Sequence, residues 1–442
     1  MLALLCVEAR QLLLGRAWIC LAIILSLLVG ASFRQALTLY GDASRSALGA
    51  GDLAQGLNPF DGILVPTFGA LYLVATLLLP FVALRQMGLD EERGTWKLLL
   101  RSGFNVPQVL MAKGAVLTLF WCAMMGIPLV AVVLWKLMGG HVHSPELLGL
   151  LLGHALYGMA VLSVAFLAGS LAKNTATASL LTLAATLGSW VLDFNGGMGS
   201  TWMQRIGALS LTRALRPMER GLLEAGHLMP WFLGLGLLVI LAALLLRPDR
   251  PWLLRALPCV ALILGAIPLL LVVGRLRGHR DLTEDRRHSF PPSVERALGT
   301  LQDPLLIEVH LDPEDPRWMD MNRQLMSKLR RLVPRVDIRM GDSSLGRFGG
   351  PTGEHYGEVI YTYQGRQDMS RSTSPEEVLQ VLWGLSRKPP PPDEAEVAYP
   401  GYPLIPHDRW SGLVFLMFLP IALILIWMGQ WLRVPHLRRR SS

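Results

Sequence analysis

Charge is scarce in this 442-residue chain. Asp, Glu, Lys and Arg make up 17% of it, and hydrophobic residues 52%. A soluble domain carries nearer a quarter charged residues, so a mean hydropathy of +0.41 excludes an ordinary soluble protein. Cysteine is equally sparse. Cys6, Cys20, Cys122 and Cys259 all lie in or beside apolar runs, and none shows CxxC spacing. That excludes a disulfide framework and a zinc site, and reads as small packed hydrophobes. No GxxxxGK[ST] occurs, so no loop of this chain is built to cradle ATP phosphates; "AKGAVL" and "AKNTAT" do not supply one. GxSxG and HExxH are missing too. "GHVHS" offers His141 and His143 as two ligands of an incomplete metal set, and Glu354 with His355 in a Gly-rich loop makes a poor catalytic dyad.

Long apolar runs are plentiful. Eight stretches of about 18 residues or more fall at roughly 17–34, 62–84, 107–137, 146–172, 175–193, 229–246, 254–274 and 412–432. The third is over-long and invites a break near Pro128. The start, "MLALLCVEARQLLLGRAW", is apolar before Arg10 and Arg16 and lacks a convincing cleavage site. It reads as an interfacial amphipathic helix (1–16) leading into the first span rather than a signal peptide. With the N-terminus in the cytoplasm, Arg85, Arg93, Lys97, Arg101, Lys113, Lys173, Arg247, Arg250, Arg255 and the basic tail 433–442 all fall inside, as the positive-inside bias requires. Both termini are then cytoplasmic. The loop 194–228, with Arg205, Arg213, Arg216 and Arg220, fits this less well. The net charge of +8 reflects that bias; basic residues scattered at span ends do not form a nucleic-acid surface.

Two regions lie outside the membrane on this topology: a small Gly/Ala/Asp-rich loop at 35–61, and residues 275–411. The second is long enough for one domain. It reads as strand 304–311, helix 315–333, strand 335–340, strands 357–363 and 366–372 joined across Gln364-Gly365, and helix 374–388 with Ser374 as N-cap. This order suggests a small α/β domain (275–388) of thioredoxin-like type. Without CxxC, such a topology implies no redox chemistry. "KPPPPDEAEVAYPGYPLIP" reads as a stiff linker, 389–411, back to the eighth span. The fold class expected is therefore a polytopic α-helical membrane protein with one extracytoplasmic α/β domain.

The stretch "EERGTWKLLLRSGFNVPQVLMAKG" interrupts the apolar pattern between the second and third runs. Its acidic residues come first, favourable to a helix dipole. Leu98, Leu99 and Leu100 supply an apolar face, and Arg93, Lys97 and Arg101 a basic one at i, i+4, i+8. A solvated juxtamembrane helix explains those charges as well as a docking helix does. The stretch also resembles the coupling region of ABC-2 type transporter permeases, through Glu92, Arg93, Gly94, Thr95, Leu99, Leu100, Ser102 and Lys113. The family's Pro after the Ser is replaced by Gly103 and Phe104, with Pro107 slightly later. The resemblance covers residues 1–247. It implies a six-span permease domain whose coupling helix, near 88–102 and including Glu91 to Arg101, docks on a separate ATP-binding subunit. ATP and Mg would sit on that partner, this chain would bind no cofactor, and it would pair with itself or a second permease.

A second resemblance, over 251–432, is to the auxiliary component of gliding-motility-type ABC transporters. Asp281, Leu282, Thr283, Arg287 and Ser289, then Pro304, Ile307 and Val309, match its "DLT" segment and following strand. It implies a fused permease and auxiliary domain in the inner membrane of a bacterium. The function implied is export driven by the partner ATPase, or alternatively an ATPase-driven mechanical or assembly role in the envelope. Read physically, "DLTEDRRHSF" is a charged segment in which Asp281, Glu284 and Asp285 can pair with Arg280, Arg286 and Arg287, and its simplest role is to seat the domain on the membrane. Ionisable residues inside the spans are few: Lys136, His154 and, at an end, Asp193. Lys136 can snorkel, and His154 can pack and hydrogen-bond between helices.

Overall fold

The structure is a computed structural model. It describes residues 1–49, 51–92, 99, 101–172, 174–195, 207, 210–246, 251–312, 315–341, 355–392 and 399–432. The chain divides into two compact units, Met1–Leu282 with Pro400–Ser442, and Thr283–Tyr399. Among the described residues eight helices are long and apolar enough to cross a membrane: Ala17–Ala47, Phe60–Gly88, Val106–Leu137, Ser144–Leu171, Thr175–Leu192, Ala225–Leu245, Trp252–Val273 and Ser411–Gln430. These are the first to eighth spans below, and they are the architecture of a multi-pass membrane protein. A shorter helix, α1 (Leu2–Leu14), precedes them. Two thirds of the most apolar window of the second and fourth spans is buried inside the protein, against 6% for the seventh and eighth. The former make the centre of the first unit and the latter its edge.

Several expectations need correction. The segment 35–61 is not a loop: the first span continues to Ala47, about 46 Å of helix, and Gly51–Gln55 is a helical turn. The continuation holds because Ala36, Leu37, Tyr40, Ser44 and Ala47 recur on one buried face. The segment 400–411 is not a free linker but a strap laid on that extension. Tyr402 N donates to Leu57 O (3.0 Å) and Leu404 N to Ser44 Oγ (3.1 Å). Tyr40 Oη donates to Tyr402 O (2.7 Å), and the Tyr402 ring stacks on His141 at 3.8 Å. Arg34 lies 3.6 Å from Asp408. The cysteines form no disulfide, but Cys6, Cys20 and Cys122 face outward, and only Cys259 is packed.

Prolines shape the spans. The third breaks at Met125, into Val106–Met124 and Gly126–Leu137, because Pro128 has no N–H to continue the ladder. The second kinks at Leu78. Pro80 leaves Thr76 O without its helical donor, and the Thr186 hydroxyl of the fifth span approaches it at 3.4 Å. The eighth span opens with the wide turn Val414–Phe418, whose ladder closes Leu419 N onto Val414 O. The next donor in that register would be residue 420, a proline. Ser26 Oγ of the first span supplies the missing hydrogen bond to Phe415 O (2.8 Å). Carbonyls freed by proline in an apolar medium thus become joints between helices. Gly30 deepens this joint: a Cβ there would stand 2.4 Å from Phe415 Cβ.

The second unit is a four-stranded sheet. Its strands are β3 (Leu305–Val309), β4 (Val336–Met340), β5 (Val359–Tyr363) and β6 (Arg366–Ser370); β1 (Leu222–Glu224) and β2 (His279–Asp281) belong to the first unit. The order is β4-β3-β5-β6, with β3 and β4 parallel and the other pairs antiparallel. A parallel pair needs a crossover, and the helical stretch from Pro316 to Leu332 provides it. Leu305, Ile307 and Val309, with Val359, Tyr361 and Tyr363, point to one buried face, as alternation demands. Leu325, Met326 and Leu329 of the crossover and Val378, Leu382 and Trp383 of helix Pro375–Ser386 complete that core. Gln364 and Gly365 turn the hairpin with φ of 51° and 74°, the left-handed pair a two-residue turn requires. Ser374 sits at the expected N-cap, but its side chain makes no bond to the helix end. A helix absent from the sequence reading, Pro292–Gly299, adds Leu298 to the core.

Candidate functional site

A buried ionic cluster joins three helices at the α1 end of the bundle. Lys113 Nζ of the third span donates to Glu8 Oε2 of α1 at 2.9 Å. Gln86 of the second span gives its amide to the same oxygen at 2.8 Å and to Glu8 O at 3.2 Å. Lys113 Nζ also donates to Gln86 O at 3.1 Å. Glu8 and Lys113 are each 1% exposed and Gln86 3%. Charges so buried are tolerated only when paired and hydrogen-bonded, and here one carboxylate oxygen takes both a cation and an amide. The placement follows from helical spacing. Leu4 and Leu12 lie four residues either side of Glu8 on its buried face, and Val106, Val109 and Leu110 precede Lys113 on its own.

Gln86 and Lys113 bracket the connection between the second and third spans, so Glu8 clamps both ends of it. Within that connection Glu91 and Glu92 close the helix Leu79–Glu92, with side chains outside the described residues. Arg93, Gly94, Thr95, Leu98 and Leu100 also lie outside the described residues. Leu99 packs half-buried beside Leu4, Leu5, Phe104, Val109 and Ala112, and Arg101 is exposed. The third span then starts at Val106: Asn105 and Gln108 form a capping box, with Pro107 in the first turn. Sequence reasoning missed Glu8 and Gln86. The signal was an acid and an amide on otherwise apolar helical faces.

Deeper in the bundle the Thr76 and Tyr157 hydroxyls are 2.8 Å apart, and Tyr72 packs on Tyr157. His154 is fully buried and tilted against Phe68. Its backbone oxygen accepts from Trp121 Nε1 (2.9 Å). Neither ring nitrogen hydrogen-bonds to protein among the described residues, although Glu219 comes within 3.9 Å of Nε2. The histidine therefore packs between helices and hydrogen-bonds across them through its backbone oxygen rather than its ring. Lys136 is exposed.

At the opposite end, β1 (Leu222–Glu224) pairs antiparallel with β2 (His279–Asp281). Asp281 lies opposite Leu222, and Leu282 N donates to Gly221 O at 2.8 Å. Asp281 and Leu282 are thus anchored in the membrane unit. Thr283 and Arg287 begin the second unit, where Thr283 is buried and Arg287 Nε lies 3.4 Å from Asp285. The loop 194–228 contributes the helix Leu211–Glu219, capped by Ser210.

Two carboxylates among the described residues of the second unit are strongly polarised. Asp315 caps the helix beginning at Pro316 and takes hydrogen bonds from Arg317 N (2.9 Å), Arg317 Nη2 (2.9 Å) and Tyr356 Oη (2.8 Å). The Arg317 guanidinium is the main cause that lowers the Asp315 carboxyl to a pKa of about 2. Hydrogen bonds from Arg371 and His355 likewise hold Glu358 below the usual carboxylate range. Among the described residues no group of three His, Cys, Asp or Glu is placed to hold a metal ion. No family model, curated protein or solved structure matches this chain.

Proposed function

We propose that this chain is the membrane-spanning permease subunit of an ABC-2 type exporter, coupled to a separate ATP-binding subunit through the connection between its second and third spans. The observation that carries this reading is the Glu8–Gln86–Lys113 clamp. A push on residues 89–105 must reach Gln86 on one side and Lys113 on the other. Both are tied to Glu8, so second span, third span and α1 respond together. A solvated surface loop has no need of such a clamp. The motif residues Glu92 to Leu100 and the run of Lys and Arg at this end of the bundle support placing it in the cytoplasm of a bacterium. The opposite end, and the unit 283–399 that leaves from it, then lie outside the cytoplasmic membrane. The strand order of that unit, with its one parallel pair, supports a thioredoxin-like auxiliary domain of the gliding-motility type.

A second reading has its own support. The residues flanking the insertion are fixed at both exits, by the β1–β2 ribbon and by the strap 400–408. Fixed exits suit a chain that transmits mechanical work to the envelope rather than passing a solute.

The test is to purify the tagged chain from native membranes and ask for a P-loop ATPase of the ABC type. Glu92→Arg with Leu99→Asp should abolish its retention and its stimulation, with membrane insertion intact. Absence of an ATPase, or unchanged coupling in the double variant, refutes the permease reading.

A further inference from the structure

Among the described residues β4 is an edge of the four-stranded sheet, with β3 on its only paired side. It runs Val336, Asp337, Ile338, Arg339, Met340: apolar, acid, apolar, base, apolar. Reversed, the pattern is the same with acid and base exchanged. We propose that β4 pairs antiparallel with β4 of a second copy of this chain, about a two-fold axis at Ile338, and joins two sheets into one of eight strands.

Hydrogen-bond phase is the first argument. Leu305 N donates to Arg335 O (2.8 Å) and Gly341 N to Val309 O (2.9 Å). The odd-numbered residues of this strand therefore turn their amides to β3, and Val336, Ile338 and Met340 turn theirs outward. A pairing centred on Ile338 sets that residue against its copy and Val336 against the partner's Met340. These are the residues with outward amides, so each falls in a hydrogen-bonded site. Charge is the second argument. The same register sets Asp337 opposite the partner's Arg339, and Arg339 opposite the partner's Asp337. Both fall in non-hydrogen-bonded sites, where facing side chains stand closest. The Asp337 and Arg339 side chains are 59% and 63% exposed and lie 2.8 Å apart along the strand. Arg339 also faces Glu308 of β3 in the register of the sheet, so pairing would set it between two carboxylates.

Opposite charges in facing positions stabilise a strand pair, and like charges destabilise it. A slip of two residues either way is the smallest that keeps the outward amides in phase. It would set Asp337 on the partner's Asp337, or Arg339 on the partner's Arg339, so the charges select one register. They also select the occupant. Charges that only guard an edge serve with one sign, which repels a second copy, whereas opposite signs in mirrored positions attract it. Burial agrees. The core-facing residues of β3 and β5 are buried, but Val336 and Ile338 are only half-buried and Met340 is exposed. The partner's Met340 would cover Val336. Five residues make a small interface, and confinement of both copies to one bilayer supplies the effective concentration it needs. The inference rests on no ATPase and on no contact between spans.

The experiment co-expresses two differently tagged full chains, one Asp337→Cys and the other Arg339→Cys, and oxidises the membranes with copper phenanthroline. Facing Cα atoms about 4.5 Å apart suit a disulfide. A link joining the two tags should therefore form above the baseline that the native cysteines set in wild type. Either chain expressed alone should stay at that baseline, because its cysteines then lie on a diagonal of about 7–8 Å. Adding Arg339→Asp to the first chain sets an acid against the partner's Asp337 and should lower the mixed link about threefold or more. Adding Asp337→Arg to the second chain as well should restore it. Both positions are exposed, and the restoring variant shows that the altered chains still fold. No mixed link, a link from either chain alone, or a yield indifferent to the charge changes overturns the proposal.

Discussion

Cutting one partner out of the Glu8–Lys113 pair should be far worse than cutting both. Lys113→Met leaves the Glu8 carboxylate 1% exposed, with only the Gln86 amide at 2.8 Å to answer it. Glu8→Leu leaves an ammonium as deep, bonded to Gln86 O at 3.1 Å. An uncompensated buried charge costs about 3–5 kcal/mol, so Lys113→Met should lose about that much. The double variant replaces the pair by apolar groups of similar volume, and such replacements are often neutral or stabilising. It should lose less than Lys113→Met alone, a coupling well beyond the few tenths of a kcal/mol by which independent sites deviate from additivity. Gln86→Leu removes two hydrogen bonds but no charge and should fall between, at about 1–3 kcal/mol. The assay is unfolding of the purified full chain in mixed micelles, followed by tryptophan fluorescence. Additive singles, or singles costing under about 1 kcal/mol, would show that the cluster is hydrated and holds nothing together.

Three further outcomes are expected. Asp315, at a pKa of about 2 in the folded chain against 3.8 ordinarily, contributes stability that is present above pH 4 and lost as pH falls through 2; with Arg317 half-exposed this is worth about 1 kcal/mol. Acid titration of residues 283–399 should show that loss for wild type and not for Asp315→Asn. Gly30→Leu should prise the eighth span from the first, costing about 1–3 kcal/mol of overpacking; a cysteine pair at Ser26 and Phe415 should cross-link in an otherwise wild-type background and fail with the leucine present. Gly365→Val forces a β-branched residue to φ of 74° and should destabilise the second unit by about 1–2 kcal/mol, seen as a lower denaturant midpoint without a change in slope.

The spans were legible because each is an apolar run, and a run of 18 or more residues admits few other readings. The strands were legible through alternation: "LLIEV" and "VIYTY" can bury one face only as β-structure. What could not be read is what depends on distant partners. Glu8 meets a lysine 105 residues on, and neither neighbourhood announces the other. "QALTLYGDASRSA" looks like a polar loop because its contact, the strap, lies some 360 residues away. Pro-rich 400–411 read as linker because proline favours extended chain, and extended chain is equally what a strap needs. The motif residues Arg93 to Leu98, legible as a resemblance, lie outside the described residues. What the fold adds is the clamp around them.

The joint between Ser26 and Phe415 has a temporal side. The two residues are separated by 389 positions, and a ribosome adds roughly 5–20 residues each second. From the emergence of the first span until its mate arrives, about 20–80 seconds pass. Through that interval the notch at Gly30 and the serine hydroxyl stand in the bilayer without their partner, while six other spans and the whole second unit are made. A notch of small residue plus hydroxyl is also what brings unrelated helices together in lipid. The nascent chain is therefore open to mispairing at this notch until its last span is made.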